Sequence, residues 1–229
     1  MEAGTRDERQ HALAVYQRLA EFYGEPTWRS RLPPLDELVA TILSQNTNDA
    51  NSGRAFLALK KRFRGWEDVR DAPAEEVIEV IRPSGLANQK GPRIQEVLRS
   101  ITAQRGSLDI NFLKDLPVEE ARAWLLQFKG VGPKTAAIVL QFSLEKQAFP
   151  VDTHVYRVTG RLGLRPLKMS VEQAHRHLEK IFPPETYLTA HMNLIRLGRE
   201  ICQARKPLCP ICPLTGLCDY YAAHYPDGV

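Results

Sequence analysis

The chain has 229 residues, 43% of them hydrophobic, so it can bury a large core without disulfide bonds. Its formal net charge of +4 favours a polyanionic partner without proving one. No stretch approaches the ~20 apolar residues of a membrane span, and the charged segment Met1–Arg9 lacks the apolar centre of a signal peptide. We therefore expect a cytoplasmic protein that contacts no membrane.

Apolar residues recur at helical spacing through most of the chain. A capping-box pattern at Thr5–Glu8 predicts the start of the first helix, and Gly24 and Pro26 predict its end. Ser170–Gln173 has the same capping-box pattern. The other apolar stripes predict helices over Leu35–Leu43, Ala55–Phe63, Val77–Ile81, Ile94–Ile101, Ala121–Phe128, His175–Ile181 and Leu188–Cys202. With about ten helical segments and no alternating strand pattern, the sequence predicts an all-α fold.

Two loops between these helices have unusual composition. Ser44–Asp49 contains six consecutive polar residues, including Gln45 and Asn46, and such a run is often only a capping loop. Pro83–Asn88 breaks the chain sharply, and Leu86 is the large apolar residue in an otherwise small and polar turn. Taken alone, Leu86 is typical of a core contact made from a loop.

The stretch that follows the helix ending at Phe128 reads Lys-Gly-Val-Gly-Pro-Lys. Glycine permits positive φ and close approach of a ligand to the backbone, and proline suits the first position of a helix. The pattern therefore predicts a tight hairpin between two helices. The backbone amides of Gly130, Val131 and Gly132 would form a phosphate site at the second helix N-terminus, with Lys129 beside it.

Lys134 and Asp152 are the two residues near this hairpin that could carry chemistry. Taken alone, Lys134 at a helix start is typical of a solvated charge, and Asp152 before Thr-His is typical of an N-cap.

Four cysteines lie near the end of the sequence, at Cys202, Cys209, Cys212 and Cys218. Their compact spacing in an intracellular chain argues against disulfides. Zinc sites usually pair two short knuckles set well apart, whereas a cubane iron–sulfur cluster takes four thiolates from compact loops. The spacing favours iron over zinc only modestly. Arg205 and Lys206 form a basic patch between the first two cysteines.

The hairpin, the Val-Asp-Thr-His segment and the cysteine spacing resemble the helix-hairpin-helix (HhH-GPD) DNA glycosylase superfamily, specifically its endonuclease III branch. The resemblance covers nearly the whole chain. It implies a six-helix barrel domain over residues 27–146 and a discontinuous iron–sulfur domain over residues 1–26 and 147–229. It also implies a [4Fe–4S] cluster on the four cysteines, and a cleft with Lys134 and Asp152 on opposite walls.

The same resemblance implies a monomeric bifunctional DNA glycosylase and abasic-site lyase of the bacterial cytoplasm and nucleoid. Such an enzyme removes damaged bases, by default oxidised pyrimidines, from double-stranded DNA and nicks abasic sites by β-elimination. Lys134 would attack the sugar, and Asp152 would deprotonate it or stabilise the developing positive charge. The implied DNA contacts are Gln45, Asn46, the Leu86 wedge, Lys129, Gly130, Val131, Gly132, Arg205 and Lys206.

The sequence departs from its relatives at Phe128-Lys129, where Leu-Pro is usual, and in the loop at Gln45 and Asn46. We expect altered hairpin packing from the first change and an altered substrate range from the second. Two alternatives stay open: a mismatch-specific glycosylase of the same fold, and a non-catalytic DNA-binding module. The adenine-specific type usually lacks a lysine at the position of Lys134, and a mere DNA clamp would not need Lys134 and Asp152 together.

Overall fold

The computed structural model describes residues 7–26 and 32–226, and these ranges contain helices and loops but no strand. The predicted all-α fold is confirmed. The described residues form two compact units, a central unit of residues 32–146 and a terminal unit of residues 7–26 and 147–226. The predicted domain boundary at residue 27 lies outside the described residues. Within the same ranges, none of the helices combines the length and apolar character that crossing a membrane requires.

Twelve α-helices are formed by the described residues. They are α1 (Glu8–Tyr23), α2 (Pro34–Ser44), α3 (Asp49–Arg62), α4 (Trp66–Asp71), α5 (Ala74–Ile81), α6 (Ala87–Arg105), α7 (Val118–Leu126), α8 (Pro133–Ile138), α9 (Thr153–Arg161), α10 (Val171–Ile181), α11 (Tyr187–Glu200) and α12 (Asp219–His224).

The central unit contains α2 to α8. Helix α2 begins with Pro34 at its first position, where the missing N–H costs nothing, and it buries one apolar face. Helix α6 packs closely on α5, since a Cβ on Gly91 would lie 2.9 Å from Cγ1 of Ile78. Leu38, Ile42 and Leu98 are fully buried in this unit. The result is an apolar helical core from which the loops after α2 and before α6 emerge.

The terminal unit combines α1 with α9 to α12. Its core contains Val15, Leu19, Val155, Leu194 and Leu197, all at most 1% exposed. Because α1 is distant in sequence from the rest of this unit, only tertiary contacts bring the two parts together.

Several helix ends differ in detail from the predictions. The capping box predicted at Thr5 begins outside the described residues, and the structure caps α1 with Asp7, whose carboxylate accepts the Arg9 amide at 2.9 Å. The Ser170 capping box is confirmed. Helix α11 ends at Glu200, before Cys202.

Some helical segments were not predicted from the sequence, among them α4, α12 and the turn after α8. Helix α4 is only six residues long, too short for a periodic pattern, and Trp66 anchors it by donating to Asp36 at 2.6 Å. After α8, residues Val139–Ser143 continue as a π-helix. Hydrophobic spacing does not distinguish such a turn from an α-helix.

Candidate active site and cysteine loop

The predicted hairpin joins α7 to α8 in the central unit. Gly130 has φ +84°, a left-handed conformation that an L side chain rarely adopts. The Val131 amide donates to the Phe128 carbonyl at 3.0 Å, and Gly132 is the N-cap of α8. The Val131 amide is therefore used inside the hairpin, and its side chain is buried. The prediction of an anion site therefore depends on the backbone amides at the start of α8.

Aromatic packing holds the hairpin in place. Phe128 is buried and meets Trp124 edge to face at 4.7 Å, and Trp124 meets Phe112 in the same way at 5.1 Å. On the other side, the Arg93 side chain lies so close to Gly130 that a Cβ there would collide with it. Lys129 is exposed. The replacement of Leu-Pro by Phe128-Lys129 thus leaves an apolar anchor followed by a free surface cation.

Gln45 reaches this hairpin from the loop after α2. Its side-chain amide donates to the Gly130 carbonyl at 3.0 Å and to the Thr135 hydroxyl at 3.4 Å. The sequence predicted a DNA contact for Gln45. The structure gives its amide a role inside the central unit, linking the loop of Gln45 and Asn46 to the hairpin.

Asn46 and Leu86 share an unusual backbone conformation. Asn46 has φ +53° and Leu86 has φ +49°, and both side chains are exposed. Positive φ is strained for a branched apolar residue, and strain of this kind is concentrated at functional sites. Leu86 is 47% exposed, so it is not the core contact that its apolar character alone would suggest.

Lys134 is the second residue of α8 and is half-buried. At this position its own backbone amide belongs to the first turn, whose N–H groups have no partner within the helix. The lysine amine is therefore carried on the same turn as the predicted phosphate site.

Asp152 lies in the terminal unit as the N-cap of α9. One carboxylate oxygen accepts the Val155 amide at 2.7 Å, so the capping role predicted for an aspartate here is confirmed. The side chain is half-buried. The cap uses Oδ1 of the carboxylate, and Oδ2 is not part of this hydrogen bond.

The segment before Asp152 is fixed by buried polar groups that sequence reasoning did not identify. His175 lies 3.0 Å from the Phe149 carbonyl, and His191 lies 2.8 Å from the Pro150 carbonyl. The Phe149 amide donates to Glu179 at 3.0 Å. The only sequence signal was the placement of His175 on the apolar face of a helix. These contacts hold the backbone two and three residues before Asp152.

The four cysteine side chains line a single pocket in the terminal unit. None of them forms a disulfide. Burial raises the pKa of Cys209 and Cys218, and it raises the pKa of Cys212 to about 11, with the neighbouring thiols adding to each shift. These thiols would therefore stay protonated at neutral pH unless a bound metal supplied compensating positive charge.

Arg161 of α9 organises the cysteine loop. Its guanidinium donates to the Gln203 carbonyl at 2.7 Å and the Ala204 carbonyl at 2.9 Å, and it lies 3.3 Å from Cys202 Sγ. The Leu208 amide closes the loop by donating to the Ile201 carbonyl at 2.9 Å. This loop exposes Arg205 and Lys206 to solvent, as their predicted contact with DNA requires.

The donor set suits an iron–sulfur cluster in number, kind and location, since four thiols face one pocket. Within residues 7–26 and 32–226, however, no three His, Cys, Asp or Glu side chains lie in an arrangement that could hold a metal ion. Ligation would thus require the thiols to rearrange.

Comparison with known proteins identifies the family. The model described as "HhH-GPD superfamily base excision DNA repair protein" matches residues 39–184. A protein of Arabidopsis thaliana named as a DNA glycosylase is 38% identical over 195 residues, which are 81% of this chain and 66% of that protein. Endonuclease III of Thermotoga maritima is 33% identical over 188 residues, which are 82% of this chain and 84% of that protein.

A solved structure agrees with these relatives. A trapped endonuclease III–DNA covalent intermediate matches with a TM-score of 0.80 and 30% identity, covering 94% of this chain and 97% of that one. The family model alone spans more than half of the chain. The chain therefore belongs to the HhH-GPD superfamily of base excision DNA repair proteins and is an endonuclease III-like glycosylase.

Proposed function

We propose that this protein is a bifunctional enzyme that removes oxidised pyrimidines from double-stranded DNA and then nicks the resulting abasic site. The observation that supports this best is the position of Lys134, a half-buried amine on the first turn of α8 directly after the hairpin. The hairpin would hold the phosphate beside the lesion, and the amine would then face the sugar of the flipped nucleotide.

In the proposed reaction, the Lys134 amine attacks C1′ of the sugar and the base departs with the electrons of the glycosidic bond. Asp152 takes a proton from the lysine or stabilises the positive charge on the sugar. Opening of the ring then leaves a Schiff base between the amine and C1′. A base takes the C2′ proton, and the electrons of the C3′–O bond leave with the 3′ phosphate, which nicks the strand. Water then hydrolyses the Schiff base and frees the Lys134 amine.

We further propose that Cys202, Cys209, Cys212 and Cys218 hold a [4Fe–4S] cluster. The support is the single pocket that all four thiols line. Bound there, the cluster would stabilise the cysteine loop, and it takes no part in the reaction steps above. Arg205 and Lys206 would contact the DNA backbone from this loop.

The lyase step is tested with borohydride, which reduces a Schiff base to a stable covalent bond. We expect the wild-type protein to be trapped on a duplex that contains an abasic site. Lys134→Gln should lose trapping and nicking entirely, because an amide cannot form the imine, while keeping duplex affinity through the backbone amides. The exposed Lys129, changed to Gln, is the matched control and should still be trapped.

Trapping of Lys134→Gln at the wild-type rate would move the nucleophile to another residue. If the wild-type protein releases thymine glycol but is never trapped, it is a monofunctional glycosylase. If it neither releases a base nor nicks an abasic site, the proposed function is wrong.

A further inference from the structure

Lys90 is a buried lysine on α6 to which the proposed chemistry gives no role. It is only 2% exposed. Its amine donates to the Leu43 carbonyl at 2.7 Å and to the Ser84 carbonyl at 2.8 Å. Its partners are thus backbone oxygens rather than a carboxylate. Burial lowers the pKa of the Lys90 amine, as expected for an ammonium removed from water without a counter-ion.

The two acceptor carbonyls belong to the segments that carry Asn46 and Leu86. Leu43 is in the last turn of α2, where carbonyls lack helical partners and attract a cation. Ser84 ends the short turn before Gly85 and Leu86. Because one nitrogen bonds both oxygens, the two segments leave the core from nearly the same point.

The Lys90 backbone contacts the Leu86 segment as well. The Lys90 amide donates to the Leu86 carbonyl at 3.0 Å, which caps the start of α6. Lys90 therefore forms hydrogen bonds with this turn at two points, with Ser84 through its side chain and with Leu86 through its main chain. Gly85 lies between these two contacts, and both Gly85 and Leu86 have positive φ. Strained backbone of this kind persists only where its surroundings hold it.

We propose that Lys90 is a positioning residue that holds the Asn46 and Leu86 segments in the shape needed to open the DNA duplex. This inference rests on the proposed function. It assigns Lys90 to base extrusion and not to the chemical steps. A buried ammonium is costly, and a lysine here can bridge two carbonyls that an apolar side chain would leave without a donor.

The test is Lys90→Met, which keeps the length of the side chain and removes both hydrogen bonds. Gln95→Met is the matched control. Gln95 lies on the same helix, is 1% exposed and donates to the carbonyls of Val69 in α4 and of Ala72 directly after α4. Both variants lose hydrogen bonds to backbone carbonyls from the core of the central unit, but only Lys90→Met releases the Leu86 turn.

Two substrates separate extrusion from chemistry: a duplex with thymine glycol opposite adenine, and the same duplex with an abasic site. We expect Lys90→Met to release thymine glycol about tenfold more slowly, the effect of losing hydrogen bonds from a charged donor, and to nick the abasic duplex at the wild-type rate. A 2-aminopurine beside the lesion should show less loss of stacking with Lys90→Met. Gln95→Met should match the wild-type protein in all three measurements.

Other outcomes overturn the proposal. If Lys90→Met loses both activities equally, or melts well below Gln95→Met with both activities lost, Lys90 only stabilises the fold. If thymine glycol release and 2-aminopurine fluorescence stay at wild-type levels, the turn does not need Lys90. A wild-type protein that is inactive on both duplexes would instead contradict the proposed function.

Discussion

Asp152 caps a helix in the structure and has a chemical role in the proposed reaction. Its carboxylate caps α9 through the Val155 amide, and the backbone before it is held at Phe149 and Pro150 by buried polar groups. Capping fixes the orientation of the carboxylate, and a fixed carboxylate can stabilise developing positive charge without reorganising. The two roles can be separated, since asparagine caps helices about as well as aspartate.

We expect Asp152→Asn to lose base release while keeping its fold. The free energy of unfolding should fall by no more than about 1 kcal/mol, because only the attraction between the carboxylate and the helix N-terminus is lost. Asp152→Ala should cost a further ~1 kcal/mol, because the cap is lost as well. Urea denaturation measures stability, and release of thymine glycol measures activity. Full turnover by Asp152→Asn would confine this residue to capping.

At the scale of the secondary-structure elements, the hairpin depends on two glycines in different ways. Gly130 has φ +84° and lies against Arg93, whereas Gly132 has φ −94° and open space where a Cβ would be. Gly130 is thus required by the backbone conformation. Gly132 can accept a side chain sterically, so any requirement for glycine there would come from a ligand.

We expect Gly130→Ala to lower the free energy of unfolding by about 1–3 kcal/mol, because alanine is strained at this φ. The flexible end of Arg93 can move aside, so most of the loss of stability comes from the strained backbone conformation of the alanine. Gly132→Ala should change stability by less than about 0.5 kcal/mol and should weaken binding to any duplex equally, since a phosphate site does not read bases. Urea denaturation and duplex titration check both variants. Equal destabilisation by the two would contradict this assignment.

The cysteine loop connects the stability of the terminal unit to the cluster proposed for it. Purified protein should contain iron and acid-labile sulfide, and Cys212→Ser should lose both and become poorly soluble, because ligation and folding are coupled. Chelation of the wild-type protein should expose the loop at Arg205 and Lys206 to protease. One tightly bound zinc without sulfide would show that the site holds a different metal.

At the scale of the whole molecule, the sequence alone determined the helical class, most helix positions, the hairpin and the grouping of the cysteines. Each is encoded locally: hydrophobic period gives a helix, glycine and proline give the turn, and spacing brings the thiols together. Lys134 and Asp152 stay predictions from the sequence, drawn from the resemblance of two short motifs to the family. The short α4 was missed because six residues show no clear period.

Only the tertiary structure decided which distant residues meet. Gln45 bonds a carbonyl of the hairpin 85 residues away, and Lys90 bonds Leu43 across 47 residues. It also decided that Leu86 is exposed with positive φ instead of buried. No local pattern encodes such contacts, because a buried amine or amide finds its carbonyl partners only after the helices have packed and excluded water.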